Sequence, residues 1–221
     1  MLAKLIDDYL LKQQEERSKK ERSGMWSPSS FGRCYRYQFW NRKNEPQTNP
    51  PDIRSLRIFS CGHLFHDFVQ GFLPEKQTEV EVNYEDIHGF ADVVTADCVY
   101  DIKSIHSKGF FYLEKEDIKV GKRNNWLQVA TYAIALNKPK ICLCFVSKDD
   151  LLINEYVDHT EKWIEEVKKE LLPLREAWQG NSLPPALPRS YGSKKFGDRE
   201  CDKYCAYKNK CYEMEKYVKG K

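Results

Sequence analysis

"DCVYDIKSI", Asp97–Ile105, sets two charged residues inside a run of strand formers. Cys98, Val99, Tyr100, Ile102 and Ile105 suit a strand, and Asp101 and Lys103 interrupt them at alternate positions. Side chains in a strand alternate faces, so Asp101 and Lys103 project to one side and Tyr100 and Ile102 to the other. A second strand-like run, "HGFADVV" (His88–Val94), comes just before. If Ala96-Asp97 is a two-residue hairpin turn, Thr95 pairs with Cys98, and counting back sets Asp92 opposite Asp101. Facing carboxylates repel each other unless a cation sits between them, and oxygen ligands favour Mg²⁺ or Mn²⁺ over zinc. Such an ion activates a bound water and stabilises charge on a phosphoryl oxygen, and Lys103 beside it could orient the water or neutralise developing negative charge. Taken alone, an Asp-x-Lys strand pair reads first as a surface ion pair, so its meaning depends on its neighbours.

Working outward, Glu79–Tyr84, His88–Thr95 and Cys98–Ile105 read as three antiparallel strands joined by short turns. A helix over Ile53–Leu73 precedes them and carries His66; a helix over Asn124–Asn137 follows and carries Gln128 and Tyr132 on one face. Ile141–Val146 and Leu152–Val157 are two further strands, and Thr160–Gln179 is an amphipathic helix that Pro173 should kink. Towards the N-terminus, residues 2–22 and Phe31–Asn41 have helical patterning. This order predicts a mixed α/β fold, a central mixed β-sheet flanked by helices. Glu79 and Glu81 offer auxiliary carboxylates, with ordinary strand-surface residues the preferred reading.

The chain of 221 residues suits one domain. Its apolar runs are too short to span a membrane and its start lacks a signal-peptide core, so a soluble, cytoplasmic protein is expected. Residues 1–43 carry ten Lys/Arg against five Asp/Glu, as do residues 189–221, whereas the middle carries sixteen against twenty-three. Basic ends around an acidic centre suit a polyanion partner and carboxylates that hold a cation, although solvated helix faces explain such runs as often. Among eight cysteines, Cys201, Cys205 and Cys211 form C-x3-C-x5-C in the basic tail. Three thiolates need a fourth ligand to close a tetrahedral site or hold a cubane, and Cys34 is the candidate. Cys61, Cys98, Cys142 and Cys144 lie inside predicted elements and read as small buried hydrophobes.

Gly62-x-x-x-His66, Gly89-x-x-Asp92, Asp101-Ile102-Lys103 and Gln128-x-x-x-Tyr132, in this order on helix, strand, strand and helix, resemble the RecB-like branch of the PD-(D/E)XK nuclease superfamily. The likeness spans roughly residues 25–215. It implies a restriction-endonuclease-like core in which Asp92, Asp101, the Ile102 carbonyl and His66 bind Mg²⁺ or Mn²⁺, Lys103 is catalytic, and Gln128 and Tyr132 organise the site or touch DNA. The family's second acid is commonly Glu; here it is Asp101. The distant Cys34 with the tail trio is similar to the iron-sulfur members of this branch, the Cas-four CRISPR-associated nucleases and AddB-type subunits, whose trio is C-x2-C-x5-C. The resemblance implies a 4Fe-4S cluster, with zinc the competing occupant. It divides the single domain 1–221 into a catalytic core, 44–188, and cluster-binding segments, 25–43 and 189–221. Arg33, Arg36, Lys203, Lys208 and Lys210 would line a basic wall for a nucleic-acid backbone, while most of Tyr35, Tyr37, Phe39, Trp40, Tyr204 and Tyr207 would pack the clip. The implied activity is exonuclease action on single-stranded DNA ends, with endonuclease action open. The rival readings are a non-catalytic DNA-binding subunit of a larger CRISPR, recombination or repair complex, and a regulator whose cluster senses oxidant.

Overall fold

A computed structural model describes residues 1–21, 23–115, 117–186 and 200–219. The chain forms two compact units: Met1–Gly24, Cys34–Phe59 and Pro173–Lys221 make one, and Met25–Arg33 with Ser60–Leu172 make the other. The second holds a five-stranded sheet in sequence order: β1 (Thr78–Tyr84), β2 (Ile87–Val94), β3 (Cys98–Ile105), β4 (Lys140–Ser147) and β5 (Ile153–His159). All neighbours are antiparallel except β3 and β4, which run parallel. A parallel neighbour requires a crossover. Here it is three helices, α4 (Ser107–Leu113), α5 (Ile118–Gly121) and α6 (Arg123–Ala135). This is the mixed α/β sheet with flanking helices that the element order predicts.

Every residue of β4 after Lys140 is buried, the unbroken apolar run of a strand covered on both faces. Trp126, Leu127, Val129, Ala130 and Ala133 of α6 are buried, and this helix packs against β3 and β4. Phe65 and Val69, from α3 (Ile53–Gln70), pack onto Val93, Ile102, Cys144 and Val146. The indoles of Trp126 and Trp163 stack 5.5 Å apart. Cys98, Cys142 and Cys144 are buried as small apolar groups, and burial pushes the Cys98 and Cys144 thiols up to about 11.

Several boundaries differ from the sequence reading. The first helix, α1 (Leu2–Ser18), stops before residue 22, and α2 (Tyr35–Arg42) starts late because Gly32 turns the chain with φ +75 after the short helical turn Pro28–Ser30. The turn Thr160–Trp163 leads into α7 (Ile164–Gln179), which continues through Pro173. Helices α4, α5 and α8 (Lys208–Lys219) had no counterpart in the sequence reading. In α4 a histidine, outside the preferred N-cap set, does the capping: His106 Nδ1 accepts from the Gly109 amide at 3.1 Å. Among the described residues, no helix is long and apolar enough to cross a membrane.

Candidate functional site

Strands β2 and β3 pair as Val93↔Tyr100 and Val94↔Val99, and the Thr95 amide donates to the Cys98 carbonyl at 2.9 Å. That register is the one a two-residue Ala96-Asp97 turn predicts. The regular ladder ends at Asp92, where a side chain replaces the backbone partner: Asp92 Oδ2 accepts the Ile102 amide at 2.7 Å. Beside it, Lys103 Nζ donates to Asp101 Oδ1 at 2.6 Å. Asp101 is 2 % exposed, and its Oδ2 has no hydrogen-bond partner among the described residues.

The α3 helix supplies an imidazole, with His66 Nδ1 3.8 Å from Asp92 Oδ2. Strand β1 supplies the third group. The ligand atoms of His66, Glu79 and Asp92 all lie within 4.8 Å of one another, near enough to share one metal ion. Asp101 lies outside this trio, its Oδ1 engaged by Lys103. Ile102 presents its side chain to the core and its amide to Asp92. Glu79, read from sequence as a surface residue, is exposed yet joins His66 and Asp92, whereas Glu81 pairs with His88 at 3.1 Å. The signal for Glu79 was present in the residues: a Glu85-Asp86 turn pairs Tyr84 with Ile87, as observed, and the same count sets Glu79 opposite Asp92.

Tyr132 explains the glycine of Gly89-x-x-Asp92. A Cβ at position 89 would lie 2.3 Å from the Tyr132 hydroxyl, so a side chain there would displace the ring. Gln128 sits half-buried one turn earlier on α6.

Burial and the Asp101 carboxylate push the Asp92 carboxyl up to about 7, against the pull of Lys103 and the Ile102 amide. Burial and the Lys103 charge hold His66 below the usual imidazole range, leaving a neutral ring suited to ligation. Burial also opposes the charge on Lys103, but Asp101 and Asp92 outweigh it and raise its pKa. Burial and the same carboxylates raise Tyr132, which keeps its proton.

In the other unit, Cys34, Cys201, Cys205 and Cys211 line one pocket with Arg36 and Lys208. Glu200 Oε1 accepts the Cys34 amide at 3.2 Å, and Arg36 Nη1 donates to Cys211 Sγ at 3.2 Å. Of the aromatics expected to pack the clip, Phe39, Trp40 and Tyr207 are buried, Tyr35 and Tyr37 are half-buried, and Tyr204 is exposed. Lys210 pairs with Glu45 and Lys208 lies 3.5 Å from Asp202, so two of the expected wall cations have carboxylate neighbours. Part of the expected cluster-binding segment 189–221 lies outside the described residues.

No protein-family profile matches the chain, and no curated protein matches it. Solved structures do. The crystal structure of SSO0001 superposes with a TM-score of 0.54 at 19 % identity, covering 91 % of this chain and 94 % of that one, which shows a shared fold. An alkaline exonuclease from Laribacter hongkongensis, LHK-Exo, is also similar, with a TM-score of 0.49 at 14 % identity over 72 % of this chain and 90 % of that one. Its complex with dAMP gives a TM-score of 0.44 at the same identity, over 72 % of this chain and 89 % of that one.

Proposed function

We propose that this chain is a metal-dependent DNA nuclease of the RecB-like kind, an exonuclease hydrolysing phosphodiester bonds at single-stranded ends. The observation that carries the reading is the convergence of His66, Glu79 and Asp92 within 4.8 Å, next to a buried Asp101–Lys103 pair. An imidazole and two carboxylates fit Mg²⁺ or Mn²⁺, and Mn²⁺ accepts the nitrogen more readily. A cation near Asp92 would return its raised carboxyl to the charged form, the usual linkage between metal binding and proton release. The buried Oδ2 of Asp101 is available to the same ion or to a water on it.

When bound, the cation supplies Lewis acidity towards a phosphoryl oxygen and acidifies a water. The protein's own groups do the rest. His66, Glu79 and Asp92 hold the ion; Lys103, charged throughout the neutral range and anchored by Asp101, neutralises charge that develops on the scissile phosphate. Tyr132, protonated and fixed over Gly89, borders the site and can donate to the DNA backbone, and Gln128, one turn earlier on the same helix face, would act beside it.

The cysteine pocket belongs to the same proposal. Four thiols lining one pocket fit a 4Fe-4S cluster, with tetrahedral zinc the competing occupant. The role is structural, since phosphodiester hydrolysis transfers no electron.

Digestion of end-labelled single-stranded DNA tests the reading. Cleavage is expected with Mg²⁺ or Mn²⁺ and none with EDTA, and Asp92→Ala and Lys103→Ala should each reduce it by about 100-fold or more. Wild-type rates in either variant, or DNA binding without turnover under every metal, would sink the assignment.

A further inference from the structure

The metal-centre reading leaves one polar contact without a role. Gln70 lies one helical turn after His66 on α3, so both side chains leave the same face. Its Nε2 donates to Glu79 Oε1 at 2.8 Å and to the Asp92 backbone carbonyl at 3.0 Å. A carboxamide nitrogen has two protons, and these two acceptors use both. One side chain thus spans the strand carrying Glu79 and the strand carrying Asp92, from the helix that carries His66.

We propose that Gln70 is a positioning residue of the metal centre, holding the Glu79 carboxylate against the Asp92 main chain so that Glu79 stays within the ligand set. The inference rests on the metal-centre reading and deepens it. Glu79 is exposed, and a free glutamate at such a site would lose side-chain entropy on binding an ion. The tether from Gln70 removes that freedom beforehand. A lysine or arginine there could tether Glu79 equally well but would cancel the charge the cation needs; an amide donates without doing so. The Glu79 backbone is independently aimed. Its φ of +46 is a left-handed conformation that non-glycine residues rarely adopt, and the β1–β2 register passes from Thr78↔Val93 to Val80↔Ala91 across it.

The test is Mn²⁺ binding to the full-length protein without DNA, followed by the electron paramagnetic resonance of free Mn²⁺, alongside thermal unfolding in EDTA. Gln70→Met keeps the side-chain length and removes both donors. It should weaken Mn²⁺ binding by about 10-fold, the usual size of such outer-contact effects, while the unfolding midpoint in EDTA stays near wild type. Gln70→Ala is the second variant and should weaken binding at least as much. With Glu79→Gln as background, Gln70→Met should add nothing, because the group it positions is no longer a carboxylate. Unchanged binding in both Gln70 variants, or a full additional loss in the Glu79→Gln background, overturns the proposal. If the wild-type protein fails to bind Mn²⁺, or Asp92→Ala binds it equally well, the metal-centre reading itself has failed, an outcome distinct from failure of the Gln70 role.

Discussion

Glu79, the second residue of β1, has a backbone that costs about 1 kcal/mol or more for a residue with a Cβ. Strain of this kind persists where the surrounding structure over-determines it, and here it coincides with the carboxylate that joins His66 and Asp92. Glycine accepts a positive φ without that penalty, at a smaller cost in unfolded-chain entropy. Glu79→Gly should therefore stabilise the metal-free protein by up to about 1 kcal/mol while nuclease activity falls. Urea unfolding in EDTA, paired with the cleavage assay, checks both halves; destabilisation would show that the left-handed backbone carries no strain. Residue types such as Asp92, Asp101 and His66 could be singled out from the sequence because their chemistry is uncommon in strands and helix faces. A glutamate in an exposed strand position, like Glu79, has no such chemical distinction, and before its distance to His66 is known only the β1–β2 turn count, which sets it opposite Asp92, marks it out.

At the scale of elements, the end of β5 is fastened by Asp158. This carboxylate is buried and accepts from Lys119 Nζ at 2.6 Å, Lys162 Nζ at 2.9 Å, Trp163 Nε1 at 3.2 Å and the His159 amide at 2.9 Å. Burial alone would raise its pKa, but the four donors outweigh it and hold the carboxyl far below the ordinary range. Because the folded-state pKa is depressed, the stabilisation is fully present above the unfolded-state value of about 3.9 and disappears as pH falls through the folded value. Asp158→Asn should cost about 2 kcal/mol at pH 7 and much less at pH 2. Unfolding midpoints at several pH values give the difference, and a pH-independent loss would contradict the linkage. The strands were legible because alternation and turn residues recur over short spans, and the β2–β3 register followed from a two-residue turn. Helices α4 and α5 were not, since "SKGFFYL" mixes strand formers with a glycine and owes its start to a histidine cap.

In the whole molecule, the unit without the sheet is built from three separated segments, and two of them, Cys34–Phe59 and Pro173–Lys221, line the cysteine pocket. Anaerobic absorption with iron and sulfide analysis should find about four irons per chain for a cubane, and Cys211→Ser should lower iron content. Because bound metal is folding free energy, cluster loss should raise amide exchange in α2 and residues 200–211 and leave β3 and β4 protected. Zinc without iron would replace the cluster reading; exchange rising equally in β3 and β4 would overturn the local role. Strand periodicity and turn length act between neighbours along the chain, and they were enough for the mixed sheet and for the β2–β3 register set by a two-residue turn. Long-range packing is what brings Glu79 into the trio with His66 and Asp92 and lets Gln70 span Glu79 and the Asp92 main chain, and it seats Cys34, the partner expected for the tail cysteines, in their pocket. Those juxtapositions depend on how helices pack and how one residue's backbone turns, and neither leaves a periodic trace in the order of amino acids.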